Sequence, residues 1–118
     1  MKQFILIILF TIIGSVAFAQ KGNKDVYYGN KSYREGDLKT AVKLYQKALD
    51  VEPENKAARI NLAIAQSKLL ATEASAENFD KALAGNKNNP ALEAKLNYDK
   101  GTALAKGKKY EPAIDAFK

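Results

Sequence analysis

The chain of 118 residues contains no histidine, no cysteine and no tryptophan. Without cysteine it has no thiol nucleophile and no disulfide framework, and without histidine it has no imidazole base or imidazole metal ligand. These absences exclude most hydrolases and most zinc or haem proteins. No cluster of carboxylates and no phosphate-binding glycine loop takes their place. The sequence therefore predicts a protein that is not an enzyme and uses no metal, no cofactor and no small-molecule substrate.

Basic residues outnumber acidic residues by 19 to 13, which gives a formal net charge of +6. The lysines are spread along the chain. Nucleic-acid-binding surfaces gather basic residues on one face and interleave them with stacking aromatic side chains. The even spread predicts a solvated lysine surface and no nucleic-acid partner.

The first 19 residues have the pattern of an export signal. Lys2 provides a positive start, and an apolar run over residues 4–13 is broken only by Thr11. The apolar segment is shorter than the roughly 20 residues that a membrane-spanning helix needs, which favours a cleaved signal over an uncleaved anchor. We expect export to the periplasm or cell envelope.

The cleavage site follows the apolar run. Ala17 and Ala19 are small residues two positions apart, and the polar Gln20 comes directly after them. This pattern predicts cleavage between Ala19 and Gln20. The predicted organisation is a signal peptide over residues 1–19, a short linker over 20–22 and one domain over 23–118.

One pattern of small and aromatic residues occurs three times in the domain, with offsets of 34 and then 38 residues. A glycine or alanine is followed 12 residues later by a second small residue and four residues after that by an aromatic residue. The three sets are Gly29, Ala41 and Tyr45; Ala63, Ser75 and Phe79; and Gly101, Ala113 and Phe117. Small residues at these positions allow two helix backbones to approach, so each copy is predicted to be an antiparallel helical hairpin.

The three predicted hairpins contain six helices, and turn, capping and proline residues predict where these helices begin and end. Gly36 and Asp37 supply the first turn with a capping carboxylate, Pro53 stops a helix, and Thr72 is predicted as the N-cap of the fourth helix. The four extra residues before the third copy enter either the loop ending at Pro90 or an extended helix. The predicted helices are Lys24 to Arg34, Leu38 to Val51, Lys56 to Leu70, Glu73 to Ala84, Ala91 to Lys106 and Tyr110 to Lys118.

The first copy resembles the tetratricopeptide repeat in its Gly36-Asp37-Leu38 turn, its Tyr45-Gln46-Lys47-Ala48-Leu49 segment and Pro53. The resemblance implies an all-α tetratricopeptide helical-hairpin solenoid of about two and two-thirds repeats with the last one truncated. The repeats cover residues 22–55, 56–89 and 94–118.

A wider resemblance extends to envelope tetratricopeptide proteins of Bacteroidetes, including those of the aerotolerance operon. It depends on the Ala19-Gln20 junction and on segments such as Gly29-Asn30-Lys31 and Ala76 to Ala82. This resemblance implies assembly with membrane-associated partners and no catalysis.

The tetratricopeptide resemblance also implies a groove lined by the first helix of each repeat. Its predicted lining is Val26, Asn30, Tyr33, Arg34, Ile60, Asn61, Ile64, Lys68, Lys95, Tyr98, Thr102 and Lys106. Some family members clamp a C-terminal carboxylate with lysines, asparagines and an arginine. Here Asn30, Asn61 and Lys95 occupy matching places, but Val26 and Asp99 stand where a lysine and the arginine would be, so the clamp is incomplete.

These observations predict a non-catalytic adaptor in the cell envelope that binds a protein or peptide in the groove. Arg34, Lys68 and Lys106 occupy equivalent positions, so we expect a row of cations along one rim that suits an acidic partner. The alternative is a structural building block that packs end to end, through its uncapped C-terminal helix, with itself or with further repeats.

Overall fold

A computed structural model describes residues 22–118, and these residues form α-helices and turns with no β-strand among them. The predicted all-α hairpin solenoid is confirmed. Helix α1 covers residues 22–34, and the predicted signal peptide and its cleavage site lie outside the described residues. The observed helix ends differ from the predicted ends by at most two residues. The later helices are α2 (Leu38–Val51), α3 (Lys56–Lys68), α4 (Thr72–Ala84), α5 (Pro90–Lys106) and α6 (Tyr110–Phe117).

The three hairpins, α1 with α2, α3 with α4 and α5 with α6, close by the same backbone turn. Gly36, Leu70 and Lys108 are equivalent residues, and all three have a positive φ, of 82°, 60° and 61°. In each turn this residue donates its N–H to the carbonyl three residues earlier, and the next residue donates to the carbonyl five residues earlier. This is the Schellman pattern, which satisfies the free carbonyls at a helix end. The turn is therefore conserved between copies even where glycine is not.

The first residue after this turn occupies the N-cap position of the next helix, but only in the first hairpin does its side chain form a capping hydrogen bond. Asp37 accepts a hydrogen bond from the N–H of Thr40 at 3.2 Å. The equivalent residue of the second hairpin is Ala71, whose side chain cannot accept. The prediction that Thr72 is the N-cap is wrong, because the turn places Thr72 one residue inside α4. The Thr72 hydroxyl is directed back toward the carbonyl of Leu70 at 3.4 Å.

The four extra residues before the third copy lengthen a helix. Helix α5 has 17 residues, whereas its counterpart α3 has 13. Asn89 caps the longer helix by accepting a hydrogen bond from the N–H of Leu92 at 3.2 Å, and Pro90 begins the helix. Proline suits this position because its fixed φ is helical and its missing N–H is not needed there. Of the two alternatives left by the sequence, the structure has the extended helix.

Two apolar clusters hold the hairpins together, and each is centred on an aromatic residue. Tyr45 lies in the first cluster with Ala41 and Ala48 of its own hairpin, and with Leu62 of α3. Phe79 lies in the second cluster with Ala63, and with Leu96 and Ala103 of α5. Both rings are 1% exposed. Burial of such a ring stabilises a fold by about 1.5–3 kcal/mol, so each aromatic residue joins one hairpin to the next.

Candidate functional site

Helices α1, α3 and α5 form one face of the array, and two hollows lie on this face. The first hollow, between α1 and α3, has a volume of about 200 Å³. The second hollow, between α3 and α5, has a volume of about 240 Å³. Ile64 lines both, so the hollows are adjoining parts of one groove. The first is lined by Asn30, Tyr33, Arg34, Tyr45, Asn61 and Ile64; the second is lined by Ile64, Ser67, Lys68, Phe79, Lys95, Asp99, Thr102 and Lys106.

A hydrogen-bonded network crosses the first hollow. The hydroxyl of Tyr45, on α2, donates to Oδ1 of Asn30 at 2.6 Å. The side-chain amide of Asn61, on α3, donates to the same oxygen at 3.0 Å. Burial raises the pKa of the Tyr45 hydroxyl above its usual value of 10, with a smaller rise from Tyr33 and an opposing effect of Arg34. The hydroxyl is therefore a protonated donor at neutral pH, and it joins three helices at the groove.

A row of cations lies at the ends of the groove helices. Arg34, Lys68 and Lys106 are exposed side chains at the last residue of α1, α3 and α5. A helix C-terminus favours positive charge, which explains how the position accommodates a cation in every copy. The Nζ atom of Lys68 lies 5.2 Å from the centre of the Tyr33 ring, within the range of a cation–π contact. The first hollow thus has two cations at its edge.

The second hollow contains an internal ion pair. Nζ of Lys95 lies 2.9 Å from Oδ2 of Asp99, one helical turn along α5. Thr102, on the same helix, donates its hydroxyl to the carbonyl of Tyr98 at 3.0 Å. Lys95 is thus partly neutralised by Asp99. Lys68 and Lys106 remain the cations of the second hollow.

Three residues predicted in the groove do not line either hollow. Val26 is 9% exposed and lies in the first cluster, and Ile60 packs against the second cluster. Tyr98 is 64% exposed and contacts Phe117 in a tilted arrangement with ring centres 5.6 Å apart. All three occupy the equivalent position, three residues before the small residue that meets the aromatic ring. In the first two copies this position packs against neighbouring helices, whereas in the third copy it is exposed beside Phe117.

The structure brings the other nine predicted groove residues together in the two hollows. It adds four lining residues to that list, namely Tyr45, Ser67, Phe79 and Asp99. Tyr45 was interpreted as a core aromatic only, yet its hydroxyl reaches the groove. The sequence does contain a sign of this role for Tyr45, because the equivalent residues, Phe79 and Phe117, have no hydroxyl.

A third hollow lies outside the groove, beside the last hairpin. It has a volume of about 400 Å³ and is lined by residues of α5 and α6 that include Ala94, Tyr98 and Phe117. Phe117 is 50% exposed, whereas the equivalent Phe79 is 1% exposed. The last hairpin thus leaves an apolar surface open that the following helix covers in the other two copies.

Residues 22–118 contain neither a metal-binding cluster of acidic side chains nor a membrane-spanning helix. No three acidic side chains in this range lie close enough together to hold a metal ion. Within the same residues, none of the helices combines the length and the apolar character that crossing a bilayer requires.

Comparisons with known proteins support the repeat and the fold. Residues 32–74 match the family model of the tetratricopeptide repeat. The chain is 33% identical over 101 residues to the Hsp70-Hsp90 organizing protein of Triticum aestivum, a match that covers 80% of this chain and only 17% of that protein.

Two solved structures have a similar fold. The N-terminal domain of stress-induced protein-1 (STI-1) from C. elegans matches with a TM-score of 0.75 at 22% identity, covering 86% of this chain and 82% of that one. The second tetratricopeptide domain of Spaghetti (RPAP3), bound to the HSP90 peptide SRMEEVD, matches with a TM-score of 0.72 at 21% identity, covering 84% and 88%. The repeat match and the fold together identify the described part of this chain as a tetratricopeptide helical-hairpin solenoid.

Proposed function

We propose that this protein is a non-catalytic adaptor that binds an extended, acidic peptide segment of another protein in the groove. The observation that carries the proposal is the first hollow, which is lined by two hydrogen-bonded asparagine side chains together with apolar Ile64 and the cation Arg34. The amides can form hydrogen bonds with a peptide backbone, Ile64 can contact an apolar side chain, and Arg34 can pair with a carboxylate.

The spacing of the cations fits an extended ligand. Packed helices lie about 8–10 Å apart, and an extended peptide advances about 3.3 Å per residue. An acidic side chain at every third residue would therefore meet Arg34, Lys68 and Lys106 in turn. Apolar side chains between them would reach Ile64.

The comparisons support peptide binding as a function of this fold. The Spaghetti domain is bound to an HSP90 peptide whose sequence, SRMEEVD, contains three acidic residues. In the present groove Lys95 is paired with Asp99, and Val26 is buried. We therefore propose a peptide partner for this chain without assigning it the partner of that domain.

The setting that we propose is the cell envelope, with a partner associated with a membrane. Support comes from the leader pattern, in which Lys2 and the apolar run precede Ala17, Ala19 and Gln20.

A synthetic peptide tests the groove. The probe is the fluorescein-labelled nonapeptide EVSEVSEVS, acetylated and amidated at its ends, which places a glutamate at every third residue. We expect saturable binding by fluorescence anisotropy that weakens as salt is raised, because surface cations act through a screened field.

The variant Arg34→Glu, Lys68→Glu, Lys106→Glu should lose this binding. The matched control is Lys39→Glu, Lys43→Glu, Lys47→Glu, which reverses three exposed charges on α2, outside the groove. Equal binding of EVSEVSEVS by both triple variants and the parent would refute the groove as the binding surface.

The building-block function is a second candidate, and the exposure of Phe117 favours it. Burial of the third hollow by another molecule would cover Phe117 as α5 covers Phe79. Sedimentation equilibrium should then show association of the parent that Phe117→Asp abolishes. A parent that sediments as a monomer at all concentrations would leave the adaptor as the function.

A further inference from the structure

We propose that the outer face of the first hairpin, on the side away from the second hairpin, binds an anionic lipid surface. This end face is formed by α1 and α2. It consists of Lys24, Asp25, Tyr28, Lys31, Ser32, Thr40, Lys43, Leu44 and Lys47. The groove is a different surface, so this inference goes beyond the proposed function and does not depend on it.

The second hairpin shows which side chains of a hairpin point toward the preceding one. Ala58, Leu62 and Ala65 of α3 pack in the first cluster with Tyr45 of α2. Another hollow between the same two hairpins is lined, on the side of the second, by Arg59, Leu62, Gln66, Ala74, Glu77, Asn78 and Lys81. Moving all these positions back by the 34-residue offset gives the nine residues of the end face.

Positive charge is concentrated on the end face. Lys24, Lys31, Lys43 and Lys47 are exposed, and within residues 22–118 none of them forms an ion pair. The acidic residue of the set, Asp25, is 8% exposed. The four lysines come from two helices, so the even spread along the sequence conceals a cluster that folding brings together. An anionic surface would complement this charge.

A further hairpin does not suit the end face. Lys24 and Lys31 are equivalent to Ala58 and Ala65, which are 0% exposed in the junction between the first two hairpins. Two lysine ammonium groups would be buried if another hairpin packed on α1 in the same way, and burial of an unpaired charge is costly. The end face therefore needs an occupant that leaves the ammonium groups hydrated.

Tyr28 gives the end face a second property that suits a lipid surface. Its side chain lies among the lysines and is 45% exposed, whereas the equivalent Leu62 is 3% exposed. Tyrosine is favoured at membrane interfaces, where its ring contacts apolar groups and its hydroxyl stays among the headgroups. Lysine has an apolar stem that can lie beside such a ring while its ammonium group reaches a phosphate. The combination favours a reversible contact with anionic lipids.

Vesicle binding tests the inference. The protein used begins at Gln20, as in the processed chain proposed above, because the apolar leader would bind a bilayer by itself. The vesicles contain phosphatidylcholine alone, or phosphatidylcholine and phosphatidylglycerol in equal parts. We expect cosedimentation with the anionic vesicles that weakens as salt is raised, and much weaker binding to the neutral vesicles. Equal binding to both kinds of vesicle would overturn the inference.

Charge reversal locates the binding surface. Each lysine near an anionic bilayer strengthens binding about fivefold. The variant Lys24→Glu, Lys31→Glu, Lys43→Glu, Lys47→Glu should therefore bind anionic vesicles at least about a hundredfold more weakly than the parent. The matched control has the same net charge and reverses four exposed lysines on other faces: Lys56→Glu, Lys87→Glu, Lys108→Glu, Lys118→Glu.

The control variant should lose much less binding than the end-face variant. Equal losses would show that net charge governs the binding and that the end face has no special role. Thermal unfolding of both variants shows whether a change in binding comes from a loss of folding.

A tryptophan reporter tests the contact of Tyr28 with lipid. The chain contains no tryptophan, so Tyr28→Trp introduces a single fluorophore. Its emission should shift to shorter wavelength on anionic vesicles. The control is Tyr110→Trp, at a tyrosine of α6 that is 62% exposed, and its emission should not shift. Equal shifts in both variants, or no shift in Tyr28→Trp, would refute the contact.

An acidic protein is the alternative occupant, and polyglutamate represents it. If polyglutamate binds the parent and anionic vesicles do not, the end face is a site for an acidic protein and the lipid inference is wrong. The end-face variant should still bind EVSEVSEVS, because its four substitutions lie outside the groove. Failure of the parent to bind that peptide would refute the proposed function and leave vesicle binding as a separate result.

Discussion

Gly29 on α1 lies directly under the ring of Tyr45 on α2, so closely that a Cβ atom on Gly29 would come within 2.6 Å of the ring atom Cε1. The equivalent pair in the third copy is Gly101 and Phe117, where the same distance would be 2.5 Å. The two pairs have similar geometry but different surroundings. Tyr45 is buried, whereas Phe117 is half exposed.

We predict that Gly29→Ala destabilises the fold more than Gly101→Ala. Buried Tyr45 cannot move without disturbing the first cluster and its bond to Asn30, so overpacking should cost about 1–3 kcal/mol. Phe117 can turn toward solvent and so relieve the overlap with a Cβ on residue 101. The better helix propensity of alanine then offsets about 1 kcal/mol of any remaining loss of stability. Urea unfolding of both variants and the parent measures the difference. Equal losses would show that exposure of the ring does not matter.

The turn residues give a prediction of stabilisation. Leu70 has a φ of 60° and is 65% exposed, so it carries backbone strain with little burial in return. Leu70→Gly should raise the free energy of unfolding by about 0.5–1 kcal/mol, as glycine accepts this conformation freely. Leu69→Gly is the control. Leu69 has a φ of −82°, where glycine relieves no strain, so this variant should be less stable than the parent. The idea fails if urea unfolding shows no gain at Leu70.

Alkaline pH should break the network at Tyr45. Burial raises the pKa of this hydroxyl above 10, so the folded state favours the neutral form. Its contribution to stability is complete below pH 10 and is lost as the pH rises through the raised pKa. Titration of tyrosinate absorbance should show a late component that Tyr45→Phe removes and Tyr27→Phe retains. Loss of the late component in both variants would contradict the assignment.

Processing of the leader is a separate prediction. Expression of the complete sequence in a Gram-negative host should yield a protein that begins at Gln20, and intact mass spectrometry measures it. Ala19→Leu should block the cleavage, because the site needs small side chains. Lys24→Leu is the control and should be processed normally. A mature protein that still begins with Met1 would refute the cleaved signal.

Much of the fold was predictable because its determinants are local and repeated. The offsets of 34 and 38 residues located three hairpins, and glycine, proline and capping residues located most helix ends to within two residues. Thr72 was misassigned because the Schellman turn at Leu70 depends on backbone hydrogen bonds and not on a glycine in the sequence. A turn formed by the backbone alone leaves little trace in residue types.

The groove was less predictable because its residues lie on different helices. Asn30, Asn61 and the row of cations followed from repeat positions, which the sequence contains. The placement of Val26, Ile60 and Tyr98 depends on the angle at which each helix packs against its neighbour. The periodicity of the sequence does not specify that angle. The bond between Tyr45 and Asn30 joins residues 15 apart on two helices, and only their packing brings them together.

The extra helical turn at the start of α5 shows where this array tolerates a change of length. The four extra residues lie at the outer end of the helix, so Leu96 and Ala103, which pack in the cluster of Phe79, keep their angular positions relative to each other. The same insertion in the middle of α5 would rotate its two halves by about 40° relative to each other, since each residue turns a helix by about 100°. In evolutionary terms, the outer ends of the groove helices are the positions at which such an array can vary in length without changing the angular positions of its contact residues.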